Sequence, residues 1–100
     1  MKVVTVCGSM RFAEEMQRIA LNLEVKKGYC VLQPVYEPNA KLDGKDLKKL
    51  AEAHFRKIEL ADAVYIVNIG GYVGQSVSKE IEYAKQLGKE VILHENKMNV

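Results

Sequence analysis

At 100 residues, with 48% apolar and 28% charged side chains, the chain has the size and composition of one globular domain that buries a core without disulfide or metal staples. A net charge of +2 is too small to hold a nucleic-acid backbone or an anionic membrane, and no apolar run is long enough to span a bilayer. Cys7 and Cys30 fall on separate predicted strands without CxxC spacing, so two reduced, buried thiols in a cytoplasmic protein are expected, with no metal or redox motif.

Met1-Lys2-Val3 runs directly into a β-branched segment, Lys2 to Cys7, which reads as a first strand and not a signal peptide. Gly8-Ser9-Met10-Arg11 turns out of it. Phe12, Met16, Ile19, Ala20 and Leu23 mark the buried stripe of a first helix, with Glu14 and Glu15 early and Lys26-Lys27-Gly28 closing it. Tyr29 to Leu32 is a second strand, stopped at Pro34. Pro34 to Gly44 has no period and is long for a compact domain, the mark of a lid or binding loop. Asp43 or Asp46 caps a second helix with apolar positions Leu47, Leu50, Ala51, Ile58 and Ala61, and His54 falls on that face.

Ala61 to Lys89 carries the strongest signals. Ala63 to Val67 reads as a strand buried on both faces. Asn68 breaks it, and Gly70, Gly71 and Gly74 make a loop that lets backbone approach a ligand. A third helix follows, with Val77, Ile81, Ala84 and Leu87 inward. Gly88-Lys89 is a turn, Glu90 to Leu93 a fourth strand, and His94 to Val100 is too short for another element. The β-α-β-α-β-α-β order predicts a parallel sheet covered on both faces, with right-handed crossovers. Ligands bind such sheets beyond the carboxyl ends of the strands. That rule brings Gly8, Ser9 and Arg11 near Gly74, Ser76 and Glu80.

The first loop matches neither G-x-G-x-x-G nor G-x-x-x-x-G-K-[ST], which disfavours a dinucleotide and a P-loop NTPase. It still holds the parts of a small anion site: Gly8, the Ser9 hydroxyl, a helix N-terminus and the Arg11 guanidinium. The alternative is that Ser9 caps the first helix and Arg11 is solvated. Ser76 and Ser78 are ligand donors, or one of them caps the third helix. Asn68 fixes a sugar hydroxyl or merely ends its strand. Glu80 is turned partly inward by its spacing from Val77, Ala84 and Leu87. It is either a capping charge on the helix dipole or an ionised nucleophile able to attack a sugar anomeric carbon. His54 is a core-edge histidine or a proton donor to a departing base.

V-C-G-S-M-R, A-D-A-V-Y-I-V-N and G-x-S-x-S-x-E-I-E-Y-A…G-K resemble the nucleoside 2-deoxyribosyltransferase superfamily over nearly the whole chain. The nearest branch is that of the 2'-deoxynucleoside 5'-phosphate N-hydrolases and their short relatives. The resemblance implies one domain, residues 1–100, with a flavodoxin/Rossmann-like three-layer α/β/α fold. Its sheet would be four-stranded and parallel, and many relatives add a fifth strand. It implies a homodimer or higher homo-oligomer with active sites near the subunit interface. Glu80-Ile81-Glu82-Tyr83-Ala84 is similar to the segment that carries the family's nucleophilic glutamate, with Glu82 where the family has glycine. Cys7-Gly8-Ser9-Met10-Arg11 is similar to its phosphate loop, which makes Ser9 and Arg11 phosphate ligands. Gly74 to Ser78 is similar to a second phosphate-binding stretch in reordered form. Where the family has an aspartate that assists sugar and base, this chain has His54.

The function so implied is cleavage, by hydrolysis or transfer, of the N-glycosidic bond of a 2'-deoxynucleoside 5'-monophosphate or related nucleoside. Glu80 is the nucleophile, and no metal or redox cofactor is needed. The alternative is a nucleotide- or sugar-phosphate-binding or sensing module that lacks the chemistry. A flavodoxin-like interaction domain is a third reading. The absence of an acidic cluster after the first strand speaks against a phospho-receiver, and the sparse aromatics speak against flavin.

Overall fold

The computed structural model describes residues 1–36 and 41–96. Strand and helix alternate as β1 (Val3–Gly8), α1 (Ala13–Lys27), β2 (Cys30–Leu32), α2 (Gly44–Leu60), β3 (Ala63–Val67), α3 (Gln75–Gln86) and β4 (Glu90–Leu93). Short 3-10 turns, Met10–Phe12 and Ile69–Gly71, follow β1 and β3. All four strands are parallel in the order β2-β1-β3-β4. The fold is a flavodoxin/Rossmann-like α/β fold, and among the described residues no helix is long and apolar enough to cross a membrane.

The period of two along a strand sorts the core into two layers. Val6 and Val67 point to one face, where Met16, Ala20 and Leu23 of α1 cover them. Cys7, Val64 and Ile66 point to the other face, against Ile58 of α2 and Val77, Ile81 and Ala84 of α3. The chain leaves β1 toward β2 on one side and β3 toward β4 on the other. The strand order therefore reverses between β1 and β3, whose carboxyl ends meet where Gly8 pairs with Val67.

Gly8 belongs there for steric reasons. A Cβ on it would stand 3.0 Å from the Met16 sulfur and 3.2 Å from Val67 Cβ, inside van der Waals contact. α1 ends at Gly28 in the left-handed conformation, as expected from Lys26-Lys27-Gly28. At the start of α2 both candidate caps act together: Asp43 accepts from the Asp46 amide and Asp46 accepts from the Asp43 amide, a capping box.

Three expectations about packing need correction, the first being Leu87, expected inward on the third helix but exposed at the C-cap just past the end of α3. Leu47 and Ala51, expected to face the core, are exposed, and only His54 and Ile58 of α2 are buried. The helix has 17 residues, about 25 Å, whereas the 6 residues of β1 cover about 20 Å. Running antiparallel to the strands, α2 overhangs their carboxyl edge with its first turns. Cys30, expected to be buried, is only partly so, because β2 is an edge strand. The expected lid, Pro34 to Gly44, includes residues 37–40, and the tail includes 97–100, both outside the described residues.

α2 and α3 are tied together at their outer ends. The Tyr83 hydroxyl donates to Glu59, whose other carboxylate oxygen accepts from Arg56 at 3.0 Å, and the Tyr83 ring packs edge-on against Phe55 at 5.0 Å. The Tyr83 hydrogen bond, then Arg56, holds the Glu59 carboxyl below its ordinary 4.5. The same bond pushes the Tyr83 phenol above its ordinary 10.0. A depressed carboxyl stabilises the fold above its unfolded pKa, and that contribution is lost as pH falls through the folded value. A raised phenol stabilises below its unfolded pKa, and its contribution is lost as pH climbs through the folded value. The urea-midpoint difference between wild type and Tyr83→Phe is therefore expected to be flat from about pH 5 to about pH 9 and to shrink at both ends. No difference at any pH would show that the ring edge, which phenylalanine keeps, and not the hydroxyl, makes the tie.

Candidate functional site

At the carboxyl edge, between the β1 turn and the overhanging first half of α2, lies a cavity of about 300 Å³. Pro34, Val35, Leu50 and Ala51 make apolar walls, and His54 and Glu80 stand at its inner end. A second hollow, of about 340 Å³, opens between the first 3-10 turn and the start of α3, lined by Ser9, Tyr72, Gly74, Gln75 and Ser76. Gly8, Met10, Ser76 and Glu80 border both.

Each of the inner groups comes from a regular element. Cys7 is the last residue of β1 that faces the α2–α3 layer, and it is buried. His54 is held by α2, which is pinned one turn later where the buried Thr5 hydroxyl donates to the Lys57 carbonyl at 2.8 Å. Glu80 lies in the second turn of α3, its side chain 17% exposed. His54 Nε2 stands 3.5 Å from Cys7 Sγ and 3.3 Å from Glu80 Oε1. His54 Nδ1 is buried with no hydrogen-bond partner among the described residues. Burial pushes the Cys7 thiol well above its ordinary 9.0, and the Glu80 charge and hydrogen bond push the same way. A thiol held neutral in this way is a poor nucleophile. That leaves Glu80 as the group in the cavity suited to attack.

The start of α3 departs from expectation. Neither Ser76 nor Ser78 caps it: Gly74 is the N-cap, and among the described residues no side-chain cap bonds the first-turn amides. Those amides carry the positive end of the helix dipole, and they border the second hollow alongside the exposed Ser76 hydroxyl. Ser78 lies half-buried one turn further on, where its amide bonds the Gly74 carbonyl.

Ser9 opens the 3-10 turn and accepts from the Arg11 amide at 3.3 Å, and its side chain also lines the second hollow. Arg11 is not simply solvated. Its guanidinium stacks on the Tyr72 ring at 3.9 Å from the centroid, and Phe12 meets that ring edge-on at 6.0 Å. Stacking of this kind contributes about 0.5–1 kcal/mol at an exposed site and holds the cation against Tyr72, which lines the second hollow, although Arg11 itself lines neither.

Asn68 is not brought to either hollow. It is fully buried, and its amide clamps the backbone of Glu95, donating to the carbonyl at 3.0 Å and accepting from the N–H at 2.8 Å. It thereby fixes the chain that leaves β4, a structural use of a polar residue at a strand end. The sequence reading assigned no site role to Cys7 or Tyr72. Strand parity already places Cys7 on the α2–α3 face, whereas nothing in the sequence joins Tyr72 to Arg11.

No family model matches the chain, and no curated protein matches it either.

Proposed function

We propose that the protein is a nucleoside 2-deoxyribosyltransferase-like enzyme that cleaves the N-glycosidic bond of a 2'-deoxynucleoside 5'-monophosphate or a related nucleoside. The observation that carries this reading is the position of Glu80. One poorly exposed carboxylate borders an apolar cavity on one side and a hollow lined by an open helix N-terminus on the other. A deoxynucleotide has the matching layout, with a flat base at one end, a phosphate at the other and the anomeric carbon between.

In this reading the α3 amides, Ser9, Ser76 and the Arg11 guanidinium hold the phosphate. Leu50, Ala51, Pro34 and Val35 receive the base. A Glu80 oxygen bonds to the anomeric carbon as the bond to the base nitrogen breaks, through an oxocarbenium-like transition state. The base leaves with the bonding pair and takes up a proton, for which His54 is the nearest titratable donor. Water then cleaves the glycosyl ester, giving deoxyribose 5-phosphate, the free carboxylate and a proton that returns to His54. A second base in place of water makes the reaction a transfer. The enzyme is read as cytoplasmic and homodimeric, with a partner covering the exposed Met10, Val35, Leu42 and Leu47 beside the cavity.

Incubation with deoxynucleoside monophosphates and chromatography of the free base tests the proposal. Arg11→Ala is expected to raise KM about 10-fold and to leave kcat within about 3-fold, because the cation binds a group remote from the breaking bond. A second reading, a nucleotide- or sugar-phosphate-binding module, is favoured by one feature: Glu80 meets an imidazole and not a second carboxylate. It expects binding that Arg11→Ala weakens, and no base release at any enzyme concentration.

A further inference from the structure

We propose that Cys7, His54 and Glu80 form a site for a single Zn2+ ion at the inner end of the cavity, and that zinc is a reversible inhibitor of the chemistry assigned to Glu80. The three ligand atoms all lie within 4.8 Å of one another. Bond lengths of about 2.3 Å to sulfur and about 2.05 Å to nitrogen and oxygen set the edges of a tetrahedral zinc site, about 3.6 Å for S···N and about 3.3 Å for N···O. The observed separations are 3.5 Å and 3.3 Å. The third edge, from Cys7 Sγ to the Glu80 carboxylate, is no longer than 4.8 Å, which leaves all three atoms within reach of one ion set between them.

A proton relay through the same residues has a different geometry. A relaying imidazole uses its two opposite nitrogens, one for each partner. Here one nitrogen, Nε2, faces both the thiol and the carboxylate, while Nδ1 is buried with no hydrogen-bond partner among the described residues. Without a metal, Nε2–H and the Cys7 S–H both have the Glu80 carboxylate as acceptor; a zinc ion replaces these two hydrogen bonds, and the thiol proton is released to solvent as the thiolate binds. Thiolate, imidazole and carboxylate together suit zinc better than magnesium or calcium, which favour oxygen alone. The fourth position opens into the cavity that His54 and Glu80 line, the arrangement of a zinc site with three protein ligands and an exchangeable water. No metal motif is visible along the sequence because the ligands come from β1, α2 and α3 and converge only in the folded chain.

The binding claim stands on this geometry and not on the glycosidase reading, so the two can fail separately. The inhibition claim rests on that reading, since zinc on a Glu80 oxygen draws off the negative charge that makes the carboxylate a nucleophile and fixes its orientation.

Co2+ is the probe, titrated into the full chain carrying Cys30→Ser and kept reduced with a phosphine. Cys30 lies at the opposite end of the sheet, paired with Val3, and its removal leaves Cys7 as the sole thiol. The expected result is one equivalent of Co2+ with a thiolate charge-transfer band and the strong visible bands of a tetrahedral site. Zn2+ should displace it with a dissociation constant of about 1 µM or tighter. Cys7→Ser should abolish the charge-transfer band, and Glu80→Gln should weaken binding about 100-fold. Glu80 is only partly buried and lies outside the packed core, so Glu80→Gln decides the matter even if Cys7→Ser does not fold, as judged by circular dichroism. An octahedral spectrum without the charge-transfer band, or equal affinity in the Cys30→Ser parent and Glu80→Gln, overturns the site. If base release is found, saturating Zn2+ should stop it and a chelator should restore it. Undiminished release from zinc-loaded protein overturns the inhibition while leaving the glycosidase reading intact.

Discussion

Glu80→Gln is expected to lower base release from a deoxynucleoside monophosphate by at least ~10³-fold while leaving the fold unchanged. The amide has nearly the shape of the carboxylate, and the position lies at the cavity edge and not in the packed core. What it lacks is the charge and lone pair that bond to the anomeric carbon. Glutamine also keeps an oxygen near His54 Nε2, so the 3.3 Å contact retains an acceptor and the imidazole is not set adrift. Substrate binding is expected to change by less than about 10-fold, because the phosphate and base are held by other groups. Chromatography of the released base measures the first effect and nucleotide titration the second. Equal rates in wild type and Glu80→Gln would remove the glutamate, and the glycosidase with it, from consideration.

Ile58→Ala is expected to lower stability by about 3 kcal/mol, within the ~2–5 kcal/mol range for truncating a fully buried isoleucine. Ile58 has 0% exposure and anchors α2 against Val64 and Ile66 of the sheet and Val77 and Ile81 of α3. For a domain near 100 residues, each kcal/mol shifts Tm by about 4–8 °C, so a fall of about 12–24 °C is expected by calorimetry. Total stabilities of about 5–15 kcal/mol make this a large fraction of the whole. Ile58 lies one turn after His54, and loosening α2 there also relaxes the histidine against Glu80. A modest fall in activity at a temperature where the variant is fully folded would report that link. A Tm within about 2 °C of wild type would mean that α2 is held by its cap and by Thr5 and not by this contact.

The order and kind of the four strands and three α-helices follow from the amino-acid sequence, while the 3-10 turns after β1 and β3 do not. Alternating β-branched runs and 3.6-period stripes leave a chain of this size few arrangements other than a parallel sheet with helices on both faces. The sequence also placed Glu80 early on the third helix and set Gly8, Ser9 and Gly74 at the same edge, because ligand-facing loops of such sheets follow from strand direction. Strand parity was enough to aim Cys7 at the α2–α3 layer. The tertiary structure alone decided which of those residues meet. Asn68 was drawn to the Glu95 backbone, Arg11 to the Tyr72 ring, and neither Ser76 nor Ser78 to the α3 amides. The meeting of Cys7, His54 and Glu80 at one nitrogen depends on where α2 crosses the sheet and how far it overhangs. Periodicity gives the face of a helix but not its axial slide along its neighbours, and contacts of 3–4 Å are set by that slide.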